Sequence, residues 1–441
     1  MERSQIFAGL DIGTTKIACI IGKKNDEGKI EVLGYAKAPS IGVKRGVVIN
    51  IENTVNSIKT VIREAQQQAG FDIEYVSVGI AGQHIKSLQH HGGTLRENSE
   101  EVIRKKDIET LLNSMYNINL NPGEEVIDVI PQEYIVDNEQ GVRDPVGMLG
   151  KRLEANFHII VGQTTAAKNI SKCVKLAGLK IVNLILEPIA SAKSVLTDEE
   201  KEAGVALVDI GGGTTDLAIF YDGIIRHTAV VPFGGDIITE DVKEGCSIIR
   251  KHAEELKVRF GSALSEKNRD DEIIAIPGLR GRPPKEISVK NLASIIQARI
   301  EEIIEQVYYE IKNSGYERKL SAGIVLTGGG SMLRHIGMIT QFITGMECKL
   351  GLPDEFLSET VPDELKSPIY STTIGLVLVG IERFEKQIQQ IESERKKQEE
   401  NHSSKEEEEE EVGGAQEVEE DVKEKRGFLN IIKDFFEKDD L

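Results

Sequence analysis

A short phrase of aspartate, glycine and threonine occurs twice in this chain, as LDIGTTK at residues 10–16 and as VDIGGGTTD at residues 208–216. In each copy an apolar run leads into a glycine turn, which predicts two strands joined by a tight hairpin. Such a turn exposes backbone N–H groups, and the threonine hydroxyls add donors, so that successive donors can face a phosphate. One copy alone also fits a simple hairpin, whereas two copies predict two lobes around one phosphate-bearing ligand.

Charged side chains occupy matching positions in the two copies. Asp11 and Asp209 each end a strand, where a carboxylate can hold a metal ion through water. Lys16 adds a cation to the first copy, and Asp216 is predicted to pin the turn of the second. If the lobes face each other, both strand-end carboxylates converge on one hydrated magnesium ion and the donors clasp a polyphosphate. The phosphate-binding residues predicted here are Asp11, Gly13, Thr14, Thr15, Lys16, Gly211, Gly212, Gly213, Thr214 and Thr215.

Glu187 opens the stretch EPIASA, in which a proline just inside a helix start is followed by small residues suited to close helix packing. A glutamate at a helix N-terminus can complement the helix macrodipole. It can also reach into a cleft and orient a water molecule. Both interpretations stay open. If hydrolysis occurs, Glu187 and Asp209 are the candidate catalytic residues that would position the water.

Two further glycine turns follow the second copy. PFGGD opens a helix whose free N–H groups offer another anion seat, and TGGGSM lets the backbone approach a flat ligand closely. Between them, Glu254 and Lys257 lie one turn apart on a helix predicted over residues 247–260, either facing one ligand or forming a surface ion pair. As the third turn in a fixed order, TGGGSM is strong evidence for a ligand site. These stretches add Gly234, Gly235, Asp236, Glu254, Lys257, Gly328, Gly329, Gly330, Ser331 and Met332 to the predicted cofactor-binding residues.

The elements that must position these turns can be predicted from periodicity. Apolar residues at helical spacing predict helices over residues 51–69, 164–177, 289–312 and 371–384. The sequence between His84 and Leu153 is polar and lacks regular periodicity, which indicates an inserted small α/β subdomain. Within it, His90 and His91 lie beside two glycines. Because no carboxylate or cysteine lies at metal-ligand spacing from them, we expect a solvated turn rather than a metal site.

Composition limits the classes of protein to consider. With 441 residues the chain is expected to form two to three folded units, and its net charge of -19 argues against a nucleic-acid binder. Its four cysteines lie far apart, so neither a zinc site nor a disulfide framework is indicated, and a reducing cytoplasm is expected. We predict no secretory signal and no membrane-spanning helix.

The end of the sequence changes character beyond residue 385. Residues 386–426 are highly charged, with an unbroken glutamate run at 406–411, and are predicted to be a disordered acidic linker. An apolar pattern then returns in residues 427–441, on one side of a helical wheel. A short isolated helix needs a surface to form on, and an aromatic-rich apolar face favours lipid over the alternative, a groove on a partner. The predicted membrane-binding residues are Phe428, Leu429, Ile431, Ile432, Phe435 and Phe436.

The order of these motifs resembles the actin, heat-shock chaperone and sugar kinase superfamily. The matching stretches are the two hairpins, the helices that begin at Glu187 and Ser371, and the turn that ends at Met332. The resemblance implies an α/β, two-lobed actin-like fold with duplicated ribonuclease-H-like cores. It also implies ATP with Mg2+ in the cleft between the lobes.

Within that superfamily the sequence is most similar to the FtsA family of bacterial cell-division proteins, through GLDIGTTK, GIAGQHIKS, EPIASA, PFGGDIITEDV and the terminal helix. The resemblance implies a peripheral protein at the division site. There it would polymerise like actin, contact other division proteins and anchor the tubulin-like protein FtsZ to the inner face of the cytoplasmic membrane. It implies that Glu254 and Lys257 contact the ribose or base, and that Arg299 and Glu302 dock the FtsZ C-terminal tail. ATP would act mainly as an assembly switch, with hydrolysis weak or absent.

Two other functions share the same cleft. A small-molecule (sugar) kinase also opens with DIGTT, but does not need a tethered amphipathic helix. A pilus-assembly platform would bind a different membrane partner. The predicted division of the chain is lobe I core at 1–83 and 156–203, inserted subdomain at 84–155, lobe II core at 204–233 and 316–385, lobe II small subdomain at 234–315, acidic linker at 386–426 and anchor helix at 427–441.

Overall fold

The first glycine turn joins two antiparallel strands, in which Asp11 lies opposite Ala18. The computed structural model describes residues 6–96, 98, 100–277 and 283–389 of the chain. The first helix begins after Asn50, whose side chain accepts a hydrogen bond from the N–H of Asn53, and ends at Gly70 in the left-handed conformation. The elements of this first segment are β1 (Phe7–Ile12), β2 (Lys16–Lys24), β3 (Ile30–Pro39), β4 (Val43–Lys44), β5 (Val47–Val48), α1 (Ile51–Ala69) and β6 (Tyr75–Ile80).

The inserted subdomain has an antiparallel sheet and a core of its own. Its elements are β7 (Lys86–Leu95), α2 (Lys105–Met115), β8 (Glu124–Val136), β9 (Glu139–Val142) and β10 (Arg152–Gln163), with the strand order β7-β10-β8-β9. The turn predicted at His90 and His91 is wrong, because both residues lie within β7 and pair with β10. The predicted boundary between residues 155 and 156 falls inside β10, which pairs with β7 and β8 on both sides of that point.

The chain then returns to the first sheet and completes the first lobe. The added elements are α3 (Thr164–Leu176), β11 (Lys180–Leu186), α4 (Glu187–Val195) and α5 (Asp198–Ala203). The strand order is β11-β6-β1-β2-β3, with β1 parallel to β6 and antiparallel to β2. Since α4 follows β11 without a loop, Glu187 is held at the carboxyl edge of this sheet.

The second lobe repeats this topology. Its elements are β12 (Val205–Ile210), β13 (Thr215–Tyr221), β14 (Ile224–Val231), α6 (Gly235–Gly245), α7 (Arg250–Phe260), β15 (Ile273–Ile276), β16 (Lys285–Ser288), α8 (Val289–Asn313), β17 (Ile324–Thr327), α9 (Ile336–Thr344) and β18 (Cys348–Leu350). The order β14-β13-β12-β17-β18 matches the first sheet strand for strand, which confirms the duplicated core. The helix predicted from residue 247 begins later, because Ser247 has a left-handed φ of 47°.

A last helix, α10, runs from residue 371 to 389 and packs between the lobes, beside α4. It continues beyond the predicted end at residue 384, so residues 386–389 are helical rather than part of the linker. The reason lies in local contacts: Lys386 forms an i,i+4 ion pair of 2.8 Å with Glu382. The rest of the predicted linker and the predicted anchor helix lie outside the described residues. Within residues 6–389 as described, none of the helices combines the length and the apolar character needed to cross a membrane.

Candidate functional site

The two glycine hairpins meet across a cavity of about 350 Å³ between the lobes. A Cβ atom added to Gly212 would lie 2.5 Å from Cγ2 of Thr15, and one added to Gly213 would lie 2.5 Å from Oγ1 of Thr14. Only glycine permits this approach at both positions. The predicted residues that line the cavity are Asp11, Gly13, Thr14, Thr15, Lys16, Glu187, Asp209, Gly211, Gly212, Gly213, Thr214, Gly235, Glu254, Lys257, Gly328, Gly329, Gly330 and Met332.

The start of α6 braces the second hairpin through two of its backbone N–H groups. The N–H groups of Gly235 and Asp236 donate to the carbonyl oxygens of Gly211 and Gly212, at 2.9 and 2.8 Å. The expectation that both groups are free for an anion is therefore wrong. The N–H of Gly211 donates to the Thr214 carbonyl at 2.9 Å, which closes the turn itself. These bonds hold the hairpin in one conformation before any ligand arrives.

Four predicted residues do not line the cavity, and each is engaged elsewhere. The Thr215 hydroxyl donates to the Phe233 carbonyl at 2.8 Å, and the Ser331 hydroxyl donates to the Gly328 carbonyl at 2.7 Å. The Asp236 carboxylate accepts a hydrogen bond of 2.9 Å from Arg250. Gly234 lies beneath the second hairpin, where a Cβ would be 2.6 Å from the Gly211 carbonyl oxygen. All four therefore support the turns rather than facing the cavity.

The two strand-end aspartates are anchored differently. Asp11 accepts a hydrogen bond of 2.5 Å from the Lys16 ammonium, which compensates its charge. Asp209 accepts hydrogen bonds from the hydroxyls of Ser191 on α4 and Thr372 on α10, at 2.7 and 3.3 Å. Burial raises the pKa of Asp209 above its ordinary value, the Ser191 hydrogen bond opposes that rise, and repulsion from Asp11 adds to it.

Glu187 reaches the cavity past Gly79 on β6, where a Cβ would lie 2.9 Å from the Glu187 Cγ. Burial raises the pKa of the Glu187 carboxyl well above its ordinary value. The negative charges of Asp11, Asp216 and Asp209 raise it further, while Lys16 lowers it. The geometry places Glu187 in the cleft, so it has more than a role at its helix terminus.

Asp216 is a cavity residue that the sequence analysis treated only as a pin for its turn. One carboxylate oxygen accepts a hydrogen bond of 3.2 Å from Thr214, and the other, Oδ1, has no partner among the described residues. Burial and the charge of Asp209 raise the pKa of Asp216 to about 8. The pairing of the two hairpin strands explains why Asp216 faces the cavity. Asp209 and Asp216 are directly opposite each other, so their side chains lie on the same face of the hairpin.

The far end of the cavity joins a polar edge to an apolar slot. Lys257 contacts the Glu254 carboxylate at 2.8 Å, the Gly235 carbonyl at 2.9 Å and the Thr239 hydroxyl at 2.8 Å. Glu254 and Lys257 thus form an ion pair that also lines the cavity, and contact with a ligand stays a prediction. The slot that sequence reasoning missed is formed by Val258, Leu333, Pro368 and Ile369 beside Met332. A flat, largely apolar ligand group fits such a slot.

Gly328 shows why the third turn must be glycine. Its φ is 81°, and a Cβ there would lie 2.2 Å from Oδ1 of Asp209. Any side chain would therefore displace the Asp209 carboxylate, one residue before the end of β12. The third turn and the second hairpin are consequently built as one unit.

Comparison with solved structures agrees with this architecture. A chain of a PilM-PilN type IV pilus biogenesis complex matches with a TM-score of 0.63 and 17% identity, over 85% of this chain and 98% of that chain. MreB 5 of Spiroplasma citri bound to AMPPNP matches with a TM-score of 0.50 and 16% identity, over 88% of this chain and 98% of that chain. The predicted two-lobed actin-like α/β fold is confirmed.

Sequence comparison is more specific. The family model described as Cell division protein FtsA matches residues 206–375, and the model described as SHS2 domain inserted in FTSA matches residues 82–161, which confirms the inserted subdomain. The cell division protein FtsA of Pseudomonas aeruginosa is 43% identical over 87% of this chain and 91% of its own length. That of Escherichia coli K12 is 35% identical over 86% of this chain and 91% of its own length. That of Bacillus subtilis is 31% identical over 89% of this chain and 90% of its own length. With identities of this size over most of both chains, the chain belongs to the FtsA family of cell-division proteins.

Proposed function

We propose that the cleft binds ATP with Mg2+ and that nucleotide binding controls assembly of the protein into actin-like filaments. The observation that carries the proposal is the meeting of two glycine hairpins, each with threonine hydroxyls, across one cavity between the lobes. The neighbouring slot around Met332 has the shape and apolar character for a base, and the Glu254–Lys257 pair lies at its polar edge for a ribose. MreB 5, a chain of the same fold, was solved with an ATP analogue bound.

The charges of the cleft suit a hydrated divalent cation. Four carboxylates, those of Asp11, Glu187, Asp209 and Asp216, line it, and Lys16 pairs with only one of them. Among the described residues no three His, Cys, Asp or Glu side chains are arranged to ligate a metal ion directly. A cation held through water by Asp11 and Asp209 fits this arrangement, and the unpartnered Oδ1 of Asp216 can accept from such a water. Bound Mg2+ would neutralise charge on the phosphates.

Glu187 supports the proposal that hydrolysis is weak or absent. Its raised pKa favours the protonated carboxyl over the carboxylate in the nucleotide-free cleft. A protonated carboxyl cannot accept a proton from water. ATP is therefore proposed to act mainly as a switch, with Glu187 and Asp209 positioning a water only during slow turnover.

We further propose that the protein anchors FtsZ filaments to the inner face of the cytoplasmic membrane, as a peripheral protein at the division site. Membership of the FtsA family supports the role in division. The helix predicted for residues 427–441 would supply an apolar face for lipid, and many tails in one filament would multiply weak single attachments. Co-sedimentation with FtsZ filaments and liposomes, with and without ATP, tests the proposal directly. ATP turnover stimulated by a sugar would instead indicate a kinase, and failure to capture FtsZ would favour a pilus-type platform.

Deletion of residues 427–441 is expected to abolish flotation with liposomes while leaving the Kd for ATP unchanged, because the apolar face and the cleft are separate parts of the chain. Flotation assays and calorimetric ATP titrations check the two halves of this prediction. Replacing Phe435 and Phe436 together by serine is expected to give most of the loss. Asn430→Ser on the opposite side of the helical wheel is the matched control. Unchanged flotation of the deletion variant would exclude the anchor.

At the proposed docking surface for the FtsZ tail, Arg299 is held by contacts to two helices rather than by a single ion pair on one helix. Arg299 on α8 forms a fork with Asp241 on α6 at 2.6 and 3.1 Å, and also bonds Glu302. This fork fixes the guanidinium between two helices, and its hydrogen bond to Asp241 raises the pKa of Arg299. A fixed cation beside a half-exposed carboxylate can discriminate between charged peptides.

Arg299→Ala is expected to weaken binding of an FtsZ C-terminal tail peptide about tenfold, and Glu302→Gln about threefold, because each removes a charged contact at a partly exposed surface. Fluorescence anisotropy with the labelled peptide measures both. Glu302→Gln leaves the Arg299–Asp241 fork intact, so its effect reports on the surface rather than on helix packing. Glu305→Gln, at an exposed position of the same helix, is the control. Equal affinity in all variants would place the docking surface elsewhere.

A further inference from the structure

We propose that Arg45 binds the terminal phosphate of the nucleotide and so distinguishes ATP from ADP. The proposal rests on nucleotide binding in the cleft, as proposed above. Arg45 lies in the small hairpin of β4 and β5, between β3 and α1. It lies outside both hairpin motifs and outside the third glycine turn.

The hairpin is tightly built around Arg45. Val43 pairs with Val48 and Lys44 with Val47, so that only Arg45 and Gly46 form the turn. Both turn residues have positive φ, 49° for Arg45 and 75° for Gly46. Two-residue turns of this kind match the twist of the strands and favour Asn or Gly at both positions. Arginine there is therefore held in a conformation that costs free energy, and such positions are common at ligand sites.

The tip of this hairpin lies against both phosphate hairpins. The N–H of Gly46 donates to Oγ1 of Thr14 at 3.1 Å, and Gly46 itself lines the cavity. On the other side, a Cβ added to Gly213 would lie 3.0 Å from the Cα of Arg45. Behind the tip, a Cβ on Gly46 would lie 2.4 Å from the Ala81 carbonyl oxygen, so the backbone is fixed on three sides. Arg45 is not among the residues that line the cavity, but its Cα lies beside Gly213, so its side chain is long enough to extend toward a group bound between the two hairpins.

The charges of the cleft give this arginine a specific partner. The two cations that line the cavity, Lys16 and Lys257, are already paired with Asp11 and Glu254. Arg45 forms neither a hydrogen bond nor an ion pair with any residue that the structure describes. Its guanidinium is therefore available, and a planar fork of N–H groups matches the oxygens of a phosphate.

The position of the hairpin determines which phosphate Arg45 binds. Gly211, Gly212 and Gly213 line the cavity from the second lobe, where they would hold the phosphate chain, and Glu254 lines the part of the cavity proposed for the ribose. Arg45 approaches from the first lobe and touches the second at Gly213. We assign the phosphate held there by both lobes at once as the terminal one, which ADP lacks. Contact with Arg45 therefore links lobe closure to the presence of the terminal phosphate.

The test compares ATP and ADP affinities, with magnesium, for the full chain and its Arg45→Ala variant by calorimetry. We expect Arg45→Ala to weaken ATP binding about tenfold and to change ADP binding by less than about twofold, because one charge-assisted contact is lost only with ATP. Arg45→Lys should give an intermediate loss, since it keeps the charge but not the fork. Lys44→Ala, the neighbouring exposed cation, should leave both affinities unchanged.

Arg45→Gly guards against a change in the hairpin, because glycine adopts the left-handed turn without strain. It should reproduce the selective loss of ATP affinity while the unfolding midpoint of the nucleotide-free protein does not fall. An unchanged ratio of ATP to ADP affinity in both variants, or an equal loss in Lys44→Ala, would overturn the assignment of Arg45 alone. If the unsubstituted chain bound neither nucleotide, the proposed function would fail and the assignment with it.

Discussion

Gly375→Ala is expected to lower the free energy of unfolding by about 3 kcal/mol or more, because it forces two helices apart at a backbone contact. Gly375 lies on α10, and a Cβ there would be 1.8 Å from the carbonyl oxygen of Ala190 on α4 and 2.3 Å from its carbonyl carbon. Both atoms belong to the backbone of α4, so the clash cannot be relieved by a rotamer change. One helix would have to move as a whole.

The same contact positions the cleft. Next to Ala190 on α4, Ser191 donates to Asp209 at 2.7 Å, and Ser194 donates to the Ser371 carbonyl on α10 at 2.7 Å. Separation of the helices would break these bonds and leave the Asp209 carboxylate without its strongest donor. We therefore expect the variant also to lose ATP affinity, even though Gly375 does not line the cavity.

Gly337→Ala is the matched control, because Gly337 is also a helical glycine but has nothing closer than 3.9 Å to an added Cβ. It should change stability by no more than about 1 kcal/mol, in the favourable direction, since alanine is the better helix former. Denaturant unfolding of both variants, with circular dichroism as the readout, measures the difference. Similar stability of the two variants would contradict the packing argument.

Asp216→Asn is expected to stabilise the nucleotide-free protein by about 2 kcal/mol at pH 7, because it removes a buried carboxyl with one unpartnered oxygen. The pKa of Asp216 is raised from 3.8 to about 8 in the folded state. A carboxyl whose folded pKa lies above its unfolded pKa contributes full stability below the unfolded value. That contribution is lost as the pH rises through the folded value, by at most about 1.4 kcal/mol per pH unit.

The advantage of the variant should accordingly be largest near pH 8 and shrink as the pH falls toward 4. Unfolding in denaturant at several pH values, without nucleotide or Mg2+, gives this difference curve. Asp198→Asn is the control, because the Asp198 side chain is 98% exposed and carries no buried charge. A constant difference between Asp216→Asn and the native chain at all pH values would show that Asp216 titrates normally. Asp216→Asn should gain stability and lose magnesium-dependent ATP affinity. A loss of ATP affinity in a more stable protein cannot result from a folding defect.

Local sequence determined the parts of this protein that depend on neighbouring residues. The two hairpins follow from apolar runs interrupted by glycine, and the bounds of α1 follow from the Asn50 cap, the helical spacing and Gly70. The repeated hairpin motif predicted two lobes around one ligand, and the two sheets of matching strand order agree with that prediction. The cleft followed from this symmetry.

Only the tertiary structure decided which side chains face the cavity. Thr215 and Ser331 carry suitable hydroxyls, yet both donate to nearby carbonyls, while Asp216 faces the ligand space. The turn at Arg45 has no motif of its own, yet β4 and β5 bring this turn against Gly213, which is far away in sequence. The residues that form a turn are neighbours in the sequence, so the sequence alone predicts the turn. Which side chains meet in the cavity depends on strand pairing between distant segments and on backbone contacts such as that of Gly375 with Ala190. Those contacts exist only once the two lobes have packed.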